Sequence, residues 1–152
     1  MKHVLIVANQ TLGGQDLLDA VAERIRQGPC RFTLLVPAGA PPRFQIMNDV
    51  VAGAGYGTLT ADATLAAALK RLEHGLASIR AAGAMAEGSV VPHEPVGAVR
   101  EMNEHAHFDE IIVSTLPPGL SRWLHLDVPH RIERACHHPV TVITAGTSPS
   151  HV

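Results

Sequence analysis

The sequence predicts an α/β fold in which a parallel sheet is sandwiched between helices. Short aliphatic and β-branched runs alternate along the chain with helical patterns, and most of those runs lack the polar alternation of a half-solvated strand, so both their faces must be covered. The segments between them are long enough to hold crossover helices, which makes the strand connections parallel and right-handed.

The elements follow in order. HVLIVA (3–8) is the first strand. Leu17, Leu18, Val21, Ala22 and Ile25 form the stripe of a first helix, stopped by Gly28 and Pro29. FTLLVP (32–37) is the second strand. A Pro-, Gly- and Ala-rich stretch at 37–60 is read as a mobile cover or a partly disordered segment, and whether 38–60 orders on binding is left open by the sequence. Leu65, Leu69, Leu72, Leu76 and Ile79 recur at helical spacing and predict a helix ending at Gly83, with the whole stripe in the core. AEGSVV (86–91) is the third strand. A proline in the first turn opens a helix over 95–106, EIIVST (110–115) is the fourth strand, and a helix over 129–136 has Asp127 as its N-cap. VTVITA (140–145) closes the sheet. Residues 1–145 are thus one domain and 146–152 a disordered tail. GAGYG (53–57) lacks the full dinucleotide-binding glycine spacing and follows no strand directly, so it is read as a flexible loop.

Composition narrows the function. The chain has 152 residues with formal net charge -2, from 12 basic and 14 acidic residues. That balance leaves no electrostatic footprint for nucleic acid. MKHVLIVANQ is too short in its apolar part for a signal-peptide core and no run approaches a membrane span, so the expectation is a cytoplasmic protein without a membrane partner. Cys30 and Cys136 have no motif spacing and are read as small buried thiols. Ten histidines raise the question of a metal, but His105 and His107 diverge on a helix, His137 and His138 are adjacent at a helix end, and H-x-x-x-H and H-E-x-x-H are absent; no metal ligands are assigned. Ser114 or Ser121 could be drawn as a dyad with His125 or His130, yet G-x-S-x-G is missing, so no catalytic residue is assigned.

In an open parallel sheet ligands sit beyond the carboxyl ends of the strands, where the strand order reverses. Three loops qualify: 9–14, 37–60 and 115–127. The last contains STLPPGLSRWLHLDVPHRI, beginning at Ser114, with two prolines, a glycine and a closing Asp-Val-Pro. Its hydroxyls, together with the amide of Asn9, could hold a small ligand. Arg122 could clamp a carboxylate or phosphate or simply balance Asp127. Trp123 could cover a ligand face or anchor the core, and Gly119 serves a turn.

DEIIVSTLPPGLSRWLHLDVPHRIERACHHPVTVI resembles the last third of universal stress proteins, EPVGAVREMNEHAHFDEIIVS resembles the family's preceding helix and strand, and KHVLIVANQTLGG its first strand and loop. The resemblance implies a doubly wound five-stranded parallel sheet of order 3-2-1-4-5 with helices on both faces, the first and fourth strands flanking the crevice, and a homodimer paired through the fifth strand, Val140–Thr144. Many members bind ATP through G-x-x-G, nine residues, then G-[ST]. Laid onto this chain, those positions are Ser114, Pro117, Asp127 and Val128, and all depart from the motif. Pro117 has no N–H to donate and Asp127 brings a carboxylate to the phosphates. Asn9 stands where ATP-binding members carry the Asp that reads adenosine. The chain is therefore identified as a divergent member without the ATP-binding glycine motif, and no cofactor is assigned: ATP is not expected, whereas another nucleotide or a small anion fits. Thr11, in the loop after the first strand, and Val36, at the end of the second, complete the candidate ligand set of Asn9, Thr11, Val36, Ser114, Thr115, Gly119, Ser121, Arg122 and Asp127. Within this reading Asp127 is an internal anion, its carboxylate accepting from the amides of His130 or Arg131 and filling the helix terminus with the protein's own charge. The leading function is a non-catalytic, dimeric regulatory or interaction module with a degenerate nucleotide site and an unidentified protein partner. The alternative is a sensor of a small nucleotide or organic anion in the crevice, and a nucleotide hydrolase is a lesser one.

Overall fold

The computed structural model describes residues 1–9, 11–12, 14–37, 56–91, 94–116 and 127–145. Among these, five strands and four helices alternate: β1 (Lys2–Val7), α1 (Gln15–Gln27), β2 (Cys30–Pro37), α2 (Tyr56–Ala81), β3 (Met85–Val91), α3 (Pro95–His105), β4 (Glu110–Thr115), α4 (Val128–Cys136) and β5 (Val140–Thr144). The sheet order is β3-β2-β1-β4-β5, and all pairs are parallel. The chain builds outward from β1 through β2 to β3, crosses back over β1 and continues through β4 to β5. Strand order therefore reverses between β1 and β4, which pair from Val4 opposite Glu110 to Val7 opposite Val113.

The period of two along the strands divides the core into two faces. Val4, Ile6, Phe32 and Leu34 pack with Leu17 and Val21 of α1 and with Ala68, Leu72 and Ile79 of α2. Leu5, Val7, Ile111 and Val113 pack on the other face with Ala98 and Val99 of α3 and Ile132 of α4. Covered on both sides, β1, β2 and β4 read as unbroken apolar runs for this reason. Cys30 and Cys136 are free and buried, and burial raises the Cys136 thiol above its ordinary pKa.

Two expectations about α2 need correction. The helix starts at Tyr56, inside the stretch read as loop, so Tyr56 and Gly57 of GAGYG belong to its first turn while 53–55 lie outside the described residues. The leucine stripe is also only half in the core, since Leu65 and Leu69 are each 45% exposed. Length explains both. A helix of 26 residues spans about 39 Å at ~1.5 Å per residue, whereas the eight residues of β2 span about 26 Å at ~3.3 Å each. The amino-terminal turns of α2 overhang the carboxyl end of the sheet, and among the residues of α2 whose burial is described, from Leu65 onward, Ala68 is the first that is fully buried. Below that point α2 lies close to the sheet through two glycines. A Cβ on Gly88 would come within 2.6 Å of the Leu34 carbonyl oxygen and 2.8 Å of Leu72 Cδ1, and one on Gly75 would meet Leu12 and Leu34 side chains at 3.1 and 3.2 Å.

Helix starts differ in how they are capped. Glu94, extended before α3, accepts hydrogen bonds from Gly97 N at 2.6 Å and Val96 N at 3.2 Å, with Pro95 behind it. Asp127 does not cap α4 in that way, contrary to expectation. Its φ of 58° and ψ of 38° are left-handed, whereas a side-chain cap needs an extended residue. Its carboxylate instead pairs with His130 Nδ1 at 2.8 Å, and the Asp127 carbonyl accepts from Arg131 N.

Candidate functional site

The crevice where strand order reverses is built from the turn after β1 and the end of β4. Ala8 N bonds the Leu35 carbonyl, extending the β1–β2 ladder, and Leu12 N to Asn9 O and Gly14 N to Thr11 O then turn the chain into α1. These turns aim Asn9 and Thr11 in opposite directions. Thr11 reaches β4, where its Oγ1 lies 2.7 Å from Ser114 Oγ and 3.2 Å from the Ser114 carbonyl oxygen. A single proton assignment satisfies both contacts: Thr11 donates to the carbonyl and Ser114 donates to Thr11 Oγ1. Thr11 and Ser114 are 6% and 2% exposed. Thr115, also buried, donates its hydroxyl proton to the Leu116 carbonyl at 2.9 Å. Of the hydroxyls expected to face a ligand, those of Thr11, Ser114 and Thr115 therefore have their protons committed within the protein.

Asn9 reaches the other way. Its Nδ2 donates to the Pro37 carbonyl at the end of β2, and its Oδ1 accepts from Arg71 Nη1 at 2.6 Å. The two bonds fix the amide orientation, because only the oxygen can face the guanidinium. Arg71 is half-buried and, among the described residues, no acidic side chain lies within ion-pair distance of it. Sequence reasoning missed this residue. The signal lay in its spacing: Ala68, Arg71 and Gly75 share one helix face, and the two small residues leave an arginine between them room to reach the sheet.

Of the candidate residues, the structure thus brings Thr11 and Ser114 together and places Asn9 beside them on the same turn. Val36 is fully buried in the face shared with α1 and α2, so only its backbone could meet a ligand. Asp127 faces His130. Gly119, Ser121, Arg122 and Trp123 lie outside the described residues, and with them the expected Arg122–Asp127 pair. The Asp127 backbone retains something the side chain does not: the position that resembles a motif glycine adopts the left-handed conformation that glycine takes most readily.

The opposite end of the sheet holds charge of a different kind. Glu110 binds Arg24 through two bonds of 2.5 and 3.1 Å, and takes further contacts from Lys2 and Thr141. The Arg24 hydrogen bonds hold its pKa down at about 2. His3 is buried between Thr33, 2.7 Å from Nε2, and Arg31, 3.2 Å from Nδ1. Arginine can only donate, so Nδ1 accepts and the ring proton sits on Nε2. Burial, reinforced by Arg31, lowers the His3 pKa. Two depressions open at this end, one of about 190 Å³ lined by Met1, Ile25, Cys30 and Met85, the other of about 500 Å³ lined by His105, His107, Phe108, Cys136 and His138. Among the described residues no group of three or more His, Cys, Asp or Glu is placed to hold a metal ion.

No family model matches the chain, and no curated protein matches it. Solved structures do. A universal stress protein from Archaeoglobus fulgidus superposes over 94% of this chain and 93% of its own with a TM-score of 0.57 at 16% identity. Its structure in complex with dAMP covers 94% and 98% at a TM-score of 0.53 and 15% identity. A universal stress protein family protein from Arabidopsis thaliana with AMP bound covers 99% and 97% at a TM-score of 0.61 and 13% identity. The chain has the universal stress protein fold.

Proposed function

We propose that this chain is a universal stress-type protein that acts in the cytoplasm by binding rather than by catalysis, as a homodimer of a single domain spanning residues 1–145, with a crevice that does not take ATP in the usual pose. The buried Thr11–Ser114 pair carries the reading. Ser114 stands at the first glycine of the resembling motif, where a ligand would need close approach to the backbone, and its hydroxyl is instead tied to the turn after β1. As a nucleophile it would need a base, and its described hydrogen-bond partners are Thr11 alone. Pro117 and Asp127 remove, respectively, an amide donor and a neutral glycine from the phosphate positions. Dimerisation is supported by β5, an edge strand with Val142 40% exposed. No described helix is long and apolar enough to cross a membrane. Incubation of the purified protein with ATP, followed by chromatography of the nucleotides, tests the absence of catalysis: the expected result is unchanged ATP, and ADP or AMP formed in proportion to protein would refute it.

A second reading, a sensor of a small nucleotide or organic anion, is favoured by the Asn9–Arg71 bond at the crevice rim. The dAMP and AMP bound to two proteins of the same fold make a nucleoside monophosphate the first ligand to try.

A further inference from the structure

We propose that Arg71, held by Asn9, is a specificity-determining residue of the crevice and selects an anionic ligand, a phosphate or carboxylate, from the β1–β2 side. The inference deepens the sensor reading and rests on it. Thr11, Ser114 and Thr115 have no hydroxyl proton left for a ligand, and the lone pairs they retain repel an anion. The Asn9 amide has one N–H bound to Pro37 O. Arg71 alone among these residues carries positive charge, and Asn9 engages one edge of a planar guanidinium whose other N–H groups could bind an anion in bidentate fashion.

Position strengthens the case. Arg71 lies one turn after Ala68, where α2 begins to overhang the sheet, so the guanidinium stands at the carboxyl edge where ligands of this architecture collect. Among the described residues no ion pair engages Arg71, and Asp127 is held by His130, Glu94 by the amides of α3 and Glu110 by Arg24 at the far end. Asn9 orients the arginine without neutralising it. An aspartate there would form an ion pair with Arg71 and turn the same geometry against anions.

Calorimetric titration with AMP, adenosine and inorganic phosphate tests the idea on the wild type and on Arg71→Gln, Arg71→Lys and Asn9→Asp. The wild type should bind AMP at least tenfold more tightly than adenosine, and the difference should shrink with added salt. Arg71→Gln should bring AMP to the level of adenosine, Arg71→Lys should retain part of the preference, and Asn9→Asp should lower AMP affinity about tenfold, with melting temperatures showing that all three variants are folded. If AMP binds equally well to the wild type and to both Arg71 variants, the role of Arg71 is overturned while the sensor reading stands. If phosphate binds in an Arg71-dependent way but AMP and adenosine do not, the nucleotide part of the sensor reading fails and the role of Arg71 survives. If none of the three binds the wild type, both fall.

Discussion

Ser114 donates to Thr11 Oγ1 in a buried position and Thr11 donates to the Ser114 carbonyl, so removing the Thr11 hydroxyl leaves Ser114 without its acceptor, while removing the Ser114 hydroxyl leaves the Thr11 bond to backbone in place. Thr11→Val should destabilise the domain by about 2 kcal/mol, the scale for an orphaned buried polar group, Ser114→Ala by less, and the double variant by clearly less than the sum, as chemical denaturation of the four proteins in a cycle would show. Asp127 sits at φ 58° without capping α4, so Asp127→Gly relieves about 1 kcal/mol of left-handed strain against the loss of the His130 pair. The variant should melt at or above the wild-type temperature; a clear drop would show that the carboxylate stabilises the turn. This outcome reverses the expectation from sequence, where Asp-Val-Pro before a helix reads as a charged cap. Backbone dihedrals decide which of an aspartate's local bonds forms, and composition does not reveal them. His3 has its own signature. Its folded pKa lies below the ordinary histidine value of 6.5, so the unfolded chain takes up its proton first, and stability falls as pH drops below about 6.5 toward the folded value. His3→Gln should flatten the stability curve across that window in pH-dependent thermal melts.

Elements were legible where packing is two-sided. The runs 32–37 and 110–115 announced β2 and β4 because each is covered on both faces, and 95–106 announced α3 because Pro95 and Glu94 sit at its start. The length of α2 was not legible. Leu65 and Leu69 continue the periodic stripe past the sheet edge, and periodicity cannot tell a helix face over a sheet from the same face beyond it. Leu72→Ala should therefore cost about 3 kcal/mol, as for a buried leucine, while Leu65→Ala should cost less than ~0.5 kcal/mol. Arg71 went unread for the related reason that its meaning depends on where the overhang begins. Gly88, an ordinary strand residue by sequence, is fixed by the approach of α2: Gly88→Ala should destabilise by roughly 2 kcal/mol, on the scale of overpacking, since the Leu34 carbonyl at 2.6 Å belongs to backbone and cannot swing away. The Glu110 cluster ties β1, α1, β4 and β5 at one point. The Glu110 carboxyl, held at about 2 against an ordinary 4.5, adds stability that is present above the unfolded value and lost as pH falls from about 4.5 toward 2, a window separate from that of His3.

At the scale of the molecule, two features of the fold bear on function. The sheet ends in edge strand β5 with Val142 exposed, and a charge there opposes pairing: Val142→Lys should shift the protein toward monomer in light scattering at tens of micromolar, a rough working range for such interfaces. The sheet order, strand directions and position of the crevice followed from the alternation of elements and from the resemblance to universal stress proteins. The chemistry of the crevice did not, because it depends on which polar groups face one another across β1 and β4. Those groups are turned inward in this chain, and that is the central claim. Calorimetry with Mg-ATP addresses it directly: the account predicts no dissociation constant tighter than about 1 mM, and a micromolar constant would contradict it.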